Sequence, residues 1–167
     1  MASLPDEAER FTVWRLTHAR YADEVFSGEG ARRYGGRFNS PGVPMIYTAG
    51  SLALATLELL VRLNKRRRMA QYVRLSASFP ASLLHIPESL PAGWDDLPYG
   101  SSSQQWGDKW VRDEASLVLK VPSVVEPLEP NYLINPGHPA FDQLTLGASA
   151  PLNLDPRLRP GGPEDAA

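Results

Sequence analysis

The stretch SGEGARRYGGRFNSPGVPMIYTAGSLALATLELLV, residues 27–61, changes character twice along its length. Residues 27–44 hold Gly28, Gly30, Gly35, Gly36, Gly42 and two prolines, and this punctuation reads as irregular loop. Arg32, Arg33 and Arg37 stand in the same segment. Glycine lets backbone approach an anion closely while guanidinium groups grip it. MIYT, residues 45–48, then reads as a short buried strand. Ser51 is placed to cap a helix predicted over Leu52–Asn64, and the basic KRRR of residues 65–68 closes it at the negative end of its dipole.

Working outward, FTVWRLTH (11–18) alternates in the manner of a strand, and YADEVF (21–26) follows as a short amphipathic turn. QYVRLSASF (71–79) and SLLHIP (82–87) read as further strands. A helix is predicted over Gln104–Glu114, with Trp106 and Trp110 on one face. SLVLKVP (116–122) reads as a strand, EPNYLINPGHPAF (129–141) as an ordered loop, and LNL (152–154) as a last edge strand. Strands and helices mix without regular βαβ units, which points to a single α+β domain. The expected organisation is an N-terminal extension over 1–10, a domain over 11–155 and a disordered tail over 156–167.

The 167 residues include no cysteine, which excludes a disulfide framework, thiol catalysis and the common structural zinc sites. His18, His85 and His138 are isolated, without metal-ligand spacing. GEGARR (28–33) is not a dinucleotide fingerprint, and no P-loop is present. The N-terminal residues show no signal-peptide pattern, and the longest apolar run, 52–61, is too short to span a bilayer. The expectation is a soluble, cytoplasmic protein. Residues 1–75 carry 12 basic and 7 acidic side chains, net +5; residues 76–167 carry 5 and 12, net −7. A basic half suits a small anion, whereas the acidic half argues against a long nucleic-acid track.

Glu58 is the most informative candidate. Helical spacing sets it beside Leu54 and Val61, and a carboxylate on an apolar face is costly unless paired or used. The plain alternative is an ion pair with Arg62 at i+4. Arg15 follows Trp14 in a strand, where an outward side chain is the ordinary reading. Arg37 lies in a shaped loop but can equally be solvated. Tyr47 reads either as core or as a stacking platform. Ser123 ends a strand, a place suited to a site residue or a turn.

Taken in order, WRLTHARYA (14–22), residues 27–61, VPS (121–123) and EPNYLINPGHP (129–139) resemble the RES-domain toxins of bacterial Xre–RES toxin–antitoxin pairs. The resemblance covers about residues 11–141, and the order around GGRFNSPGVPMIYTAGSLALATLE is its most specific part. It implies an ADP-ribosyltransferase-like fold, a split mixed sheet with flanking helices. It implies Arg15, Glu58 and Ser123 as the catalytic set, with Arg37, Tyr47, Arg32 and Asn135 binding substrate. The implied substrate is NAD⁺, with no prosthetic group and no metal. The implied partner is an Xre-like antitoxin bearing a helix-turn-helix and occluding the site; neither direct nucleic-acid binding nor a membrane is expected. The better-known ADP-ribosyltransferases place their glutamate on a strand, whereas Glu58 is predicted on a helix.

These residue types suit NAD⁺ cleavage. Guanidinium groups match its two phosphates, and an aromatic ring can stack on the flat nicotinamide cation. A carboxylate stabilises the oxocarbenium-like centre left when the ribose–nicotinamide bond breaks. Three readings follow: NAD⁺ cleavage to a small acceptor, ADP-ribose transfer to a protein, and a non-enzymatic partner-binding module. The residues do not choose the acceptor.

Overall fold

The computed structural model describes residues 9–63 and 71–158. Alternation builds its longest strands. In β1 (Arg10–His18) and β3 (Tyr72–Pro80) inward positions recur every second residue, and nine register pairs join them antiparallel, from Arg10↔Pro80 to His18↔Tyr72. Val13, Leu75, Ala77 and Phe79 share one buried face of this pair. The remaining strands are β2 (Ile46–Ala49), β4 (Leu84–His85), β5 (Val118–Pro122), β6 (Pro130–Ile134), β7 (Thr145–Leu146) and β8 (Ala150–Pro151).

One mixed sheet results, in the order β4-β5-β6-β2-β1-β3-β7, with β8 also on β3. Only β4–β5 is parallel. The α+β reading with a split sheet is therefore the observed architecture. The split has a definite place: β1 and β2 are joined by a single register pair, Trp14↔Ala49, while each is fully paired on its other side. Beyond that pair the two half-sheets diverge, leaving a seam.

Helices cover one face. The helix α2 (Leu52–Leu60) lies over the seam, with Leu54 and Ala55 packed on Ala49, Trp14 and Leu16. Further along, α3 (Ser101–Arg112) sets Trp110 and Trp106 against Phe38, Leu119, Val121 and Leu133. The opposite face of the sheet packs Ile46, Val118, Tyr132 and Ile134 with Val25 and Phe26. Among the described residues no helix is long and apolar enough to cross a membrane.

Several local readings change: the helix expected over Leu52–Asn64 ends at Leu60, and the one expected over Gln104–Glu114 runs over Ser101–Arg112. The glycine-rich loop contains a short helix, α1 (Glu29–Tyr34), bracketed by Gly28 and Gly35 at φ 74° and 72°. The glycines there mark helix ends rather than the absence of helix. Residues 130–134, expected as loop, form the interior strand β6, paired with β2 and β5 along its whole length. Pro130 is tolerated because it opens the strand, and Tyr132, Leu133 and Ile134 are buried. The last edge strand is Ala150–Pro151 rather than 152–154. The amphipathic turn starts earlier than expected, as a 3-10 helix over Ala19–Glu24. KRRR, the last predicted residue of the helix at Asn64 and the tail beyond 158 lie outside the described residues.

Candidate functional site

Ser51 caps α2, its hydroxyl accepting from the Leu54 amide at 3.1 Å, and this sets the helix axis over the seam. Glu58 falls in the last turn, with a side chain only 19% exposed. Ser123, the first residue after β5, is fully buried and donates its hydroxyl to Glu58 Oε1 at 2.8 Å. The same hydroxyl accepts the Val125 and Glu126 amides at 3.0 and 3.1 Å, so its one proton is free to serve Glu58. Asn131, second residue of β6, donates Nδ2 to the same Oε1 at 2.7 Å. One carboxylate oxygen is thus saturated by two donors from strands far away in sequence. The other, Oε2, has among the described residues only Arg62 Nη2 at 3.7 Å, a loose pair longer than a hydrogen bond.

The ion pair expected as the plain reading of Glu58 therefore exists, but it is the weakest of three contacts. The stronger two fix the carboxylate's orientation. Asn131 was missed by sequence reasoning because its segment read as loop. Once β6 is placed opposite Ala49 and Val121, Asn131 lies on the strand pair beside Ser123.

Arg15 is not an outward strand residue. It pairs with Leu75 in the β1–β3 ladder, a position that alternation assigns to the inner face of Val13. Its Nη1 donates to the Tyr47 carbonyl at 2.6 Å, bridging β1 and β2 just where their own ladder has stopped. Nε of Arg15 is buried with no hydrogen-bond partner among the described residues. Burial, reinforced by repulsion from Arg62, pulls the Arg15 guanidinium down to about 10. A donor buried without an acceptor is costly unless something else supplies one.

Tyr47 does most of its work at the loop. Its hydroxyl donates to Asn39 Oδ1 at 2.6 Å and accepts the Phe38 amide at 3.0 Å. A Cβ on Gly36 would come within 2.6 Å of that hydroxyl, so only glycine allows the approach. Burial raises the phenol well above its ordinary pKa. Asn39, fully buried, donates to the Ala31 and Val43 carbonyls at 2.8 and 2.9 Å. From α3, Gln104 donates to the Gly36 carbonyl and Asp108 accepts the Ser40 amide. The GGRFN loop is therefore a built structure rather than a solvated one.

Arg37 leaves this loop to donate Nη1 to the Trp94 and Asp96 carbonyls at 2.7 and 2.9 Å, with its guanidinium 5.5 Å from the Tyr99 ring centre. It clamps the loop at residues 94–99, and nothing brings it into contact with Glu58. Arg32 is engaged elsewhere: Nε and Nη2 both bind Glu29 on the exposed α1, at 2.6 and 2.7 Å. Asn135 lies past the far end of β6, roughly 13 Å along the strand from Asn131 by the rise per residue. There it donates to the Val111 carbonyl and accepts the Gly137 amide. Both Arg32 and Asn135 thus serve local structure, and the geometry does not join them to the carboxylate.

The structure accordingly assembles two groups. Glu58, Ser123 and Asn131 are in direct contact; Arg15 and Tyr47 meet at the seam. Arg62 connects them, paired to Glu58 and close enough to act electrostatically on both Arg15 and Tyr47.

Comparison with known proteins places this geometry. A family model described as the RES domain matches residues 12–155. The chain belongs to the RES domain family. This RES-domain protein is 41% identical over 154 residues to the "Prs ADP-ribosylating toxin" of Sphingobium sp. strain YBL2, covering 88% of this chain and 96% of that one. It is 35% identical over 151 residues to "Toxin Res" of Yersinia enterocolitica, covering 88% and 99%. It is also 33% identical over 126 residues to "Toxin Res" of Photorhabdus laumondii, covering 74% and 81%.

Proposed function

We propose that this RES-domain protein is a toxin that breaks the nicotinamide–ribose bond of NAD⁺ and passes the ADP-ribose to an acceptor, arresting growth. The observation that carries this reading is the Glu58 carboxylate, anchored through one oxygen and left with the other beside the seam. As the C–N bond lengthens, its electron pair leaves with nicotinamide, which departs neutral and needs no general acid. The positive charge then developing on the ribose is stabilised by Glu58. Ser123 and Asn131 hold that carboxylate in place. Arg15, with its unsatisfied Nε, and Arg37 are the candidates for the phosphates; the ring of Tyr47 is the candidate for the nicotinamide. The names of the relatives, all toxins, support the reading.

Purified protein incubated with NAD⁺ is expected to release nicotinamide when water, phosphate or cell extract supplies the acceptor. No release under any of these conditions would end the proposal.

The acceptor is a separate matter. The name of the Sphingobium relative favours a protein as acceptor, through attack of a side-chain nucleophile on the ribose carbon and loss of its proton. With labelled NAD⁺ in lysate, a discrete labelled protein band supports this transfer. Rapid NAD⁺ loss with no band supports hydrolysis or phosphorolysis instead. Either activity would harm its own host, so the reading calls for an antitoxin. We expect an Xre-like protein with a helix-turn-helix that covers the seam.

A further inference from the structure

Oε1 of Glu58 already receives two hydrogen bonds, so Oε2 is the oxygen left to meet a substrate. In this structure Oε2 is not vacant: Arg62 stands over it at 3.7 Å. The backbone of Arg62 is held in the turn that ends α2, its amide donating to the Leu59 carbonyl at 3.0 Å. Its side chain, by contrast, is 70% exposed and makes no hydrogen bond to the carboxylate. A pair of that length and exposure separates at little cost. Arg62 also repels Arg15, whose buried Nε lacks an acceptor among the described residues. Two guanidinium groups within electrostatic reach of each other, one of them incompletely bonded among the described residues, form an arrangement that an anion between them would relieve.

We propose that Arg62 is a substrate-responsive latch, paired with Oε2 of Glu58 in the free protein and transferred to the diphosphate when NAD⁺ binds. This rests on the NAD⁺ reading. NAD⁺ presents one anionic part, its diphosphate, and one cationic ring, and an arginine can answer only the first. Transfer of Arg62 uncovers Oε2 at the moment the ribose arrives. Arg62 is thus a binding residue whose release readies the catalytic carboxylate, and the same charge serves both tasks in turn.

Calorimetry with ADP-ribose tests this without requiring turnover. Arg62→Ala is expected to weaken ADP-ribose binding about tenfold, the size of a lost charged hydrogen bond, and Arg62→Lys to retain part of it. Glu58→Gln, which removes the competing charge, is expected to tighten binding in the wild-type background and to have a smaller effect once Arg62 is alanine. ADP-ribose binding unchanged in Arg62→Ala would overturn the proposal. Equal effects of Glu58→Gln in the two backgrounds would overturn the latch. A protein that binds ADP-ribose through Arg62 yet releases no nicotinamide from NAD⁺ would sink the proposed reaction and leave this inference standing. Nicotinamide release with Arg62-independent binding would do the reverse.

Discussion

Two arginine neighbourhoods of this molecule contrast sharply. On α1, Arg32 and Arg33 lie one residue apart and both bind Glu29, three and four residues before them. At the seam, Arg15 has among the described residues no carboxylate in hydrogen-bond contact, only a carbonyl from β2 for Nη1 and no partner for Nε. The acid nearest the seam, Glu58, takes its donors from Ser123 and Asn131, 65 and 73 residues away. The first cluster is conspicuous in sequence because its partners are local, and for the same reason its charges are already spent. The second is inconspicuous because its partners are distant, and it keeps binding capacity in reserve. Density of charge along a chain is thus a poor guide to a site; unsatisfied charge in the fold is a better one.

The sharpest way to break this contrast is to neutralise one glutamate from each region. Glu58→Gln is expected to lower nicotinamide release about 100-fold or more, as for other groups that stabilise developing charge, with thermal unfolding little changed. Glu29→Gln should leave release within about twofold, the range of an ordinary surface change. Equal losses from the two variants would erase the distinction.

Arg15→Met leaves the Tyr47 carbonyl without its donor across the seam. The expected cost in urea unfolding is about 1–3 kcal/mol, the penalty of a buried unsatisfied group. Asn131→Ala spares the Ser123 bond to Glu58 and is expected to lower kcat about tenfold or more with KM nearly constant, since one hydrogen bond to a charged carboxylate is lost. A rise in KM alone would mean that Asn131 touches substrate instead of orienting the carboxylate. Arg32→Ala should leave the midpoint of urea unfolding essentially unchanged, because its ion pair is exposed.

The smallest expected effect is on titration. Hydrogen bonds from Arg32 and then Arg33 hold the Glu29 carboxyl at about 2, below the ordinary 4.5. A depressed carboxylate contributes stability that is present above its unfolded value and lost as pH falls through the folded one. Carboxyl carbon shifts should place the Glu29 midpoint below those of other exposed glutamates, and Arg32→Ala should move it upward. A midpoint insensitive to Arg32 would remove the reason for calling that charge spent.

Strand alternation over 11–18 and 71–79, the Ser51 cap and the helix from Leu52 were legible because each depends on neighbours within a turn or a pleat. β6 was not, since Pro130 and the Asn-Pro-Gly run after Ile134 frame only a few residues whose interior position comes from pairing on both edges. Within the site, Glu58 and Ser123 were named as candidates, but their joint contact with Asn131 is a product of the sheet order. Arg15 was named too, while its inward direction follows from a ladder with β3 that begins some sixty residues later.

The sequence by itself determined the class of fold and the family, because local patterning and ordered motifs are properties of the chain. It also placed an acid on an apolar helical face and an arginine beside Trp14. Only the tertiary structure decided which charges remain available. The sheet parts between β1 and β2, and a hydrogen bond satisfied in one register is unsatisfied in another. Local helical spacing already spends Arg32 on Glu29, whereas that long-range pairing leaves Arg15 and one oxygen of Glu58 beside the seam.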